Sequence, residues 1–580
     1  MKRRPPLWDL HPPLPAEEIS RLQSELAHLE LSPLSIQLLV NRGVREPADI
    51  QNFVEPPDVS AYPDPLLMTG MAAAVDRIGR AIEAGEKITI YGDYDADGVT
   101  STALLTIALR HLGASVEPYI PHRVREGYGL NAEAVHEIAS RGSGLLITVD
   151  CGISGHVEVA EARKVGLDVI VTDHHHIPDN LPEAAACINP RQSAPSCECY
   201  QDLCGAGVAY QLVRALVRRY GKPRNLRNKD LLGLVAIGTV ADIVPLTGAN
   251  RSLVRQGIAA LREHSLPGLR TMLEFAGIKL QNGVDAERIG FIIGPRLNAA
   301  GRLDDARIAY DLLMTEDPME AQVLAQKLEA LNRRRQARMN QILEVARQRA
   351  RQMDDDVPVV LLADPDWPSG LIGPIASKLA EDFARPAVVI ELAGDECRGS
   401  ARSTPHFNII EALTEVSELL VRYGGHRAAA GFTVRAHNID ELNRRLCQIA
   451  GRQLDEQHLR PVYVADALLT MSRIHEDTYQ DIARLAPFGA GNPLPLFMAR
   501  GLRVLDCQMF GDNSQHLKMS VADRTNISGT PVEAVMFGGA HALDMLRQHS
   551  HVDMLFSIER YEWKDDRYIR LRIKDLRPAE

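Results

Sequence analysis

The stretch "KITIYGDYDADGVTSTALL", residues 87–105, runs from a short apolar segment through three alternating acids into a helical pattern. KITIY is rich in β-branched and aromatic residues, which suits a short buried strand. STALLTIALRHLG (101–113) carries apolar residues at helical spacing and stops at Gly113. Other segments repeat the theme. MAAAVDRIGRAIEAG (71–85) reads as an amphipathic helix closed by Gly85, LLITV (145–149) and DVIVT (168–172) as buried strands, and HVEVAEARKVG (156–166) as a helical stretch between them. Repeated β-α units predict an α/β fold with a parallel, doubly wound sheet.

The acids Asp93, Asp95 and Asp97, followed by Gly98, imitate the start of a calcium-binding loop. Such a loop needs a bidentate Glu at its twelfth position and a helix before it. The twelfth position from Asp93 is Leu104, and a strand precedes. A solvated acidic turn is the plainer alternative, but the context speaks against it. In parallel sheets ligands bind beyond the carboxyl ends of the strands. LLITVDCGIS delivers Asp150 there, and DVIVTDHHH delivers Asp173, His174 and His175. LVAIGTVADIVPL, read as a fourth strand end, delivers Asp242. If these strands are neighbours, six carboxylates and two imidazoles converge. That much negative charge is unstable without cations. Carboxylates with one or two histidines suit Mg²⁺ or Mn²⁺, and two such ions about 3.5–4 Å apart activate water and stabilise the leaving oxygen of a phosphate ester. Gly98 is expected to let the chain turn tightly from strand to helix.

The 580 residues are too many for one core, and 45% hydrophobic with 24% charged content is ordinary for globular domains. We expect a helical and irregular segment at 1–55, a catalytic α/β domain at 56–317, a connecting helix at 318–356, a smaller α/β domain at 357–452 and a β-rich domain at 460–580. In the last, LFMARGLRVLDCQMF, HLKMSVAD, VEAVMFGG, VDMLFSIERY and YIRLRIKDL have the number and length of strands for a small barrel of the OB type. In YIRLRIK, Ile569, Leu571 and Ile573 alternate with Arg570, Arg572 and Lys574, so one face is apolar and the other basic. Between Arg333 and Arg351 the connecting helix carries seven arginines and a single acid, Glu344, either a solvated face or a basic strip beside a polyanion. The net charge of −11 argues mildly against a polyanionic partner, but local patches matter more. No apolar run reaches the roughly 18 residues of a membrane span. The N-terminal MKRRPPLWDLHPPLPAEE lacks the apolar stretch of a secretory signal, so a cytoplasmic location is expected. Cys187, Cys197, Cys199 and Cys204 lie close in sequence, but their spacing fits no usual zinc site, and reduced thiols are expected.

DYDADG, VDCGIS, VTDHH and GTVADIVPL, in this order, closely resemble the four motifs of the DHH phosphoesterases. GPRLNAAGRL (294–303), SGLIGPIASKLAEDFARPAVV (369–389), GSARS (399–403), YGGHRAAAGFTV (423–434) and PFGAGNPLPLF (487–497) extend the resemblance to the long members of that family, bacterial exonucleases that degrade single-stranded DNA from its 5′ end. The resemblance implies that Asp93, Asp95, Asp97, Asp150, His174 and Asp242 bind two Mn²⁺ or Mg²⁺ ions. Asp150 would bridge them, His175 would face the scissile phosphate, and Asp173 would orient His174. Asp95, Asp97, Asp150, His174, His175 and Asp242 are thus the implied catalytic set. Block 357–452 matches the DHH-associated domain. Its Ser400 and Arg402 become candidates for gripping a 5′-phosphate, with His426 and Arg427 beside a glycine-rich backbone approach, and Arg123 and Arg302 are further phosphate candidates. The barrel would hold the strand, with Phe510, Tyr561 and Trp563 as candidate stacking rings. The implied partners are single-stranded DNA, a single-strand-binding protein and a RecQ-type helicase, and the implied state is a monomer with no membrane attachment. The same motifs allow two other readings: a phosphodiesterase for short oligonucleotides, or a non-catalytic single-strand-binding replication scaffold.

Overall fold

The computed structural model describes residues 1–580 except 2–3, 193–194, 264, 512, 525–530, 564–565 and 580, with backbone only at 281–282, 562–563 and 566–567. In the first α/β block five parallel strands lie in the order Ser115–Tyr119, Lys87–Tyr91, Leu145–Val149, Asp168–Thr172, Ala186–Ile188. Every residue of Leu145–Val149 is buried, as expected of a central strand covered by helices on both faces. From Lys87–Tyr91 the chain first steps to one side, to Ser115–Tyr119, and then crosses back to Leu145–Val149 on the other. The sheet therefore has its topological switch point between Lys87–Tyr91 and Leu145–Val149, where a crevice opens at their carboxyl ends. Asp93 and Asp150 flank that crevice, and Asp173 leaves the next strand along.

Asp242 reaches the crevice differently from the sequence reading. LVAIGTVA is not a strand but part of the helix Asn228–Ala241, and Asp242 is its C-terminal capping residue. The residues from Leu231 to Thr239 are all buried, packed mainly between the helices Ala96–His111 and Gly248–Glu263. A helix buried all round loses the amphipathic period that would distinguish it from a strand.

The helix Pro318–Gln352 begins with Pro318 after Asp317, whose carboxylate caps Met319 N–H at 3.0 Å. Its first half buries Ala321, Ala325 and Leu328 in the catalytic core, and its second half buries Ile342, Leu343, Ala346 and Ala350 in the next block. At about 1.5 Å per residue it spans about 50 Å. Its arginines do not form an open basic strip. Arg333 pairs with Glu329, Arg347 with Asp382 and Arg349 with Asp364, while Arg338 donates to the Asp366 carbonyl. Three of the seven, Arg338, Arg347 and Arg349, fasten the helix to the next block, while Arg333 and Arg335 bond within the helix itself.

The second block is a mixed sheet in the order Leu420–His426, Ala429–Arg435, Glu396–Arg402, Ala387–Glu391, Val360–Asp364. YGGHRAAAGFTV is a hairpin rather than a phosphate-cradling loop: its glycines lie in the paired strands Leu420–His426 and Ala429–Arg435. In the C-terminal block the strands Phe497–Phe510, His516–Ala522, Val532–Met536, Asp566–Pro578 and His551–Trp563 pair in succession, and Phe497–Phe510 pairs again with His551–Trp563, closing a five-stranded barrel. Leu571 and Ile573 point into its core, as the alternation predicts.

Segment 1–55 is not only helical. Leu7–Leu10 forms a parallel pair with Val462–Ala465, and Leu22, Ile36, Leu39 and Ile50 share one core with the barrel residues Leu517, Phe497 and Phe556. A contact across some 450 residues leaves no local trace. All eight cysteines are free thiols.

Candidate metal centre and phosphate pocket

Asp95 caps the helix Ala96–His111, accepting from the N–H groups of Asp97 and Gly98 at 3.0 and 3.1 Å. Gly98 lies inside that helix with an ordinary backbone. Its role is room rather than a tight turn, because a Cβ there would stand 2.5 Å from the Asp93 carbonyl oxygen. Asp97 points to the start of the helix Gly205–Tyr220 and accepts from Gly205 N–H at 2.6 Å and Ala206 N–H at 2.9 Å. Free N–H groups and the helix dipole favour an anion there. Asp150 has φ 62°, in the left-handed region that non-glycine residues seldom adopt. Such strain collects at functional sites. Gly205 makes the arrangement possible, since a Cβ on it would lie 2.6 Å from the Asp150 Cβ; Gly238 similarly leaves space for the Asp97 carboxylate.

The candidate metal-binding side chains meet here. Ligand atoms of Asp93, Asp95 and Asp150 lie within 4.8 Å of one another, as do those of Asp97, His174 and Asp242, and those of Asp150, His174 and His175. Asp150 joins the groups: its Oδ1 is 3.0 Å from His174 Nε2, which is 3.6 Å from Asp242 and 3.9 Å from Asp97. Burial, and then repulsion among the carboxylates, pushes Asp93, Asp150 and Asp242 well above the usual carboxylate range and Asp97 up to about 6. Burial and the neighbouring His175 push His174 down to about 3, so it is a neutral imidazole with a lone pair to offer. Asp93 Oδ1 is buried with no hydrogen-bond partner. Hard oxygen donors, neutral imidazole nitrogen and an orphaned carboxylate oxygen are the donor set of two divalent cations such as Mn²⁺ or Mg²⁺.

This electrostatic frustration has a measurable consequence. Acids whose pKa is raised by folding favour the fold below their unfolded value, about 4, and oppose it as pH rises through their folded values. For Asp97 that loss runs up to about 6, and for Asp93, Asp150 and Asp242 it extends upward from the ordinary carboxylate range. In EDTA at pH 8, Asp150→Asn is expected to melt about 2–4 °C above the unmodified protein, by scanning calorimetry. The gap should close toward pH 4, and the order should reverse in Mn²⁺. A variant less stable in EDTA across this range would contradict the picture.

Asp173 serves a different histidine from the one expected. It accepts from His175 Nδ1 at 2.7 Å and from the N–H groups of His174, His175 and Ile153. Burial works against a charged His175, but the Asp173 hydrogen bond and charge outweigh it and raise its pKa. Tyr128 OH lies 3.0 Å from His175 Nδ1 and donates to the Asp150 carbonyl at 3.4 Å. Sequence reading missed Tyr128, Gly205 and Gly238.

Arg123 lies 4.1 Å over the Tyr94 ring, and its Nε is buried without a partner. Arg302 is half-buried, held down to about 10 by burial and by Arg123, and donates to the Gly370 carbonyl at 2.8 Å. Gly370 opens the helix Ser369–Phe383, one turn before Gly373, where a Cβ would sit 3.1 Å from Arg402 Nη2 and 3.3 Å from Ser400 Oγ. Arg402 donates to Ser400 Oγ at 3.0 Å and to Ser377 Oγ at 3.1 Å; burial lowers its pKa, and among the described residues no carboxylate pairs with it. A cationic fork beside a hydroxyl over a bare glycine has the charge and donors that suit an anion such as a phosphate. His426 ends an exposed edge strand with its ring 6.4 Å from that of His176 on the catalytic domain. Arg427 turns instead to the Pro405 carbonyl. In the barrel Phe510 joins His516 and Phe537 in an aromatic group, Tyr561 lies under Arg570, and the Trp563 side chain falls outside the described residues.

Clustered acids and histidines at a sheet switch point fit a metal-dependent phosphoesterase. Residues 87–239 match the DHH family N-terminal domain, 356–452 the DHHA1 domain and 465–575 the RecJ OB domain. The single-stranded-DNA-specific exonuclease RecJ of Bacillus subtilis is 36% identical over 576 residues, covering 99% of this chain and 71% of that protein. The crystal structure of RecJ with Mn²⁺ from Thermus thermophilus superposes with a TM-score of 0.83 at 31% identity, over 99% of this chain and 80% of that one. The same protein with Mg²⁺ gives 0.76 at 28% identity, over 99% and 79%. The chain belongs to the RecJ family of DHH phosphoesterases.

Proposed function

We propose that this chain is a metal-dependent exonuclease that hydrolyses single-stranded DNA from its 5′ end to 5′-mononucleotides, in recombination and repair. The observation that carries this reading is the convergence of Asp93, Asp95, Asp97, Asp150, His174 and Asp242 at the switch point, with a buried oxygen of Asp93 left unpaired. These residues would hold two ions, Mn²⁺ or Mg²⁺, which when bound neutralise the carboxylates, activate water and draw charge from the departing oxygen. Asp150 and His174 are each common to two of the three groups, and Asp150, with its two carboxylate oxygens, would be the shared ligand. His175, whose pKa is raised because its hydrogen bond to Asp173 outweighs burial, would donate to a non-bridging oxygen of the scissile phosphate as negative charge builds on it. Arg123 and Arg302 hold backbone phosphates. Ser400 and Arg402 take the terminal 5′-phosphate, with His426 at the lip and Arg427 farther out, which sets polarity.

The barrel favours a polymer over short oligonucleotides, since a dinucleotide has no use for it. The retained acids disfavour a non-catalytic scaffold. No helix among the described residues is long and apolar enough to cross a membrane. An enzyme that needs a free single-stranded 5′ end depends on activities that open duplexes and coat strands, hence a RecQ-type helicase and a single-strand-binding protein as partners of a cytoplasmic monomer. The test is a comparison of a 5′-phosphorylated single strand with its blunt duplex. Mononucleotides should appear from the single strand alone, with Mn²⁺ or Mg²⁺ present and EDTA absent; equal attack on the duplex would overturn the reading.

A further inference from the structure

The motif PFGAGNPLPLF has no part in the chemistry above, yet it touches the metal centre's supports. The turn Ala486–Asn492, which begins one residue before the motif, belongs to the barrel half of the chain but rests on the catalytic domain. Leu246 N–H donates to the Ala490 carbonyl at 2.7 Å. A Cβ on Gly489 would meet Leu246 Cδ1 at 2.7 Å, and one on Gly491, which has φ +72°, would meet Pro245 Cβ at 3.1 Å. The turn is rigid in itself. Gly489 and Asn492 exchange backbone hydrogen bonds at 2.8 and 3.2 Å. The fully buried Asn492 donates to the Leu485 and Pro487 carbonyls at 2.8 Å each and accepts from Arg42 Nε at 2.8 Å. From the catalytic side Arg251 donates to the Ala486 carbonyl at 2.9 Å, and Asn250 to the Pro245 carbonyl at 3.0 Å.

Leu246 follows Asp242 by four residues. Between them Ile243 has φ 62°, a left-handed conformation for a β-branched residue, while its side chain is 74% exposed. Packing of that side chain therefore does not hold the strain. It persists because both ends are fixed, one by the helix Asn228–Ala241 and the other at Leu246. We propose that the turn Ala486–Asn492 is a positioning element of the metal centre, fixing Asp242 through Leu246. This rests on the assignment of Asp242 as a metal ligand.

The test uses the full chain with Gly489→Val and the milder Gly489→Ala, melting temperature being measured for each. Mn²⁺ binding is read from the free-ion electron paramagnetic resonance signal, and kcat on a 5′-phosphorylated dinucleotide, too short to occupy the barrel as well. Gly489→Val should weaken binding of one Mn²⁺ by about tenfold, as loss of an outer support does. It should also lower kcat on the dinucleotide, with Gly489→Ala in between, and Leu246→Ala added to Gly489→Val should restore both by making room. If Gly489→Val does not fold, Gly489→Ala decides. Unchanged Mn²⁺ binding in a folded variant, even with a raised KM for long strands, would overturn the proposal, as would failure of Leu246→Ala to rescue. Asp242→Asn separates the two layers: if it binds Mn²⁺ normally, the ligand assignment fails. If it loses an ion while the Gly489 variants do not, only the positioning role fails.

Discussion

Asp150→Ala is expected to lower kcat on a 5′-phosphorylated single strand by about 10³-fold or more, since a shared ligand supports several kcal/mol of transition-state charge stabilisation. Asp150 stands with Asp93 and Asp95 on one side and reaches His174 at 3.0 Å on the other. Truncation therefore disconnects both groups rather than weakening one. The buried acids left behind repel one another less, so the fold should survive, and melting in EDTA serves as the control. Activity within about tenfold of the unmodified protein, about 1.4 kcal/mol, would contradict Asp150's place at the centre.

Arg402→Ala is expected to act on the end of the strand rather than on the chemistry. A hydrogen bond to a charged group contributes about 1.5–3 kcal/mol, so preference for a 5′-phosphate over a 5′-hydroxyl should fall about 10–100-fold. The effect should appear mainly in KM for phosphorylated ends, with kcat at saturation little changed. Arg402→Lys keeps the charge but loses the planar fork, and should recover only part. Arg402 holds no carboxylate among the described residues, so no buried acid is stranded by the change. An unchanged preference would place the 5′-phosphate elsewhere.

The catalytic fold was legible where local patterns decide it. KITIY, LLITV and DVIVT are all strands of one parallel sheet, and their adjacency puts the acids Asp93, Asp150 and Asp173 side by side. Asp242 reaches the acidic cluster, but from a helix rather than the expected strand, because a helix buried all round shows no amphipathic period. The partner of Asp173 was misassigned for a related reason: which of two adjacent histidines a carboxylate meets depends on the turn after Thr172, and spacing does not encode that. Steric roles were invisible. Gly205 and Gly238 matter because Asp150 and Asp97 need the space, and that is known only once the helices are packed. Contacts between the N-terminal segment and the barrel, such as Leu7 with Val462, carry no sequence pattern at all.

The most direct test of the central claim is a long single-stranded DNA labelled at either its 5′ or its 3′ end, incubated with Mn²⁺ and sampled early. The account predicts immediate release of the 5′ label as a mononucleotide while the 3′ label stays on long strands, with neither released in EDTA or by Asp150→Ala. Early release of the 3′ label, or internal cuts that free both at once, would contradict it.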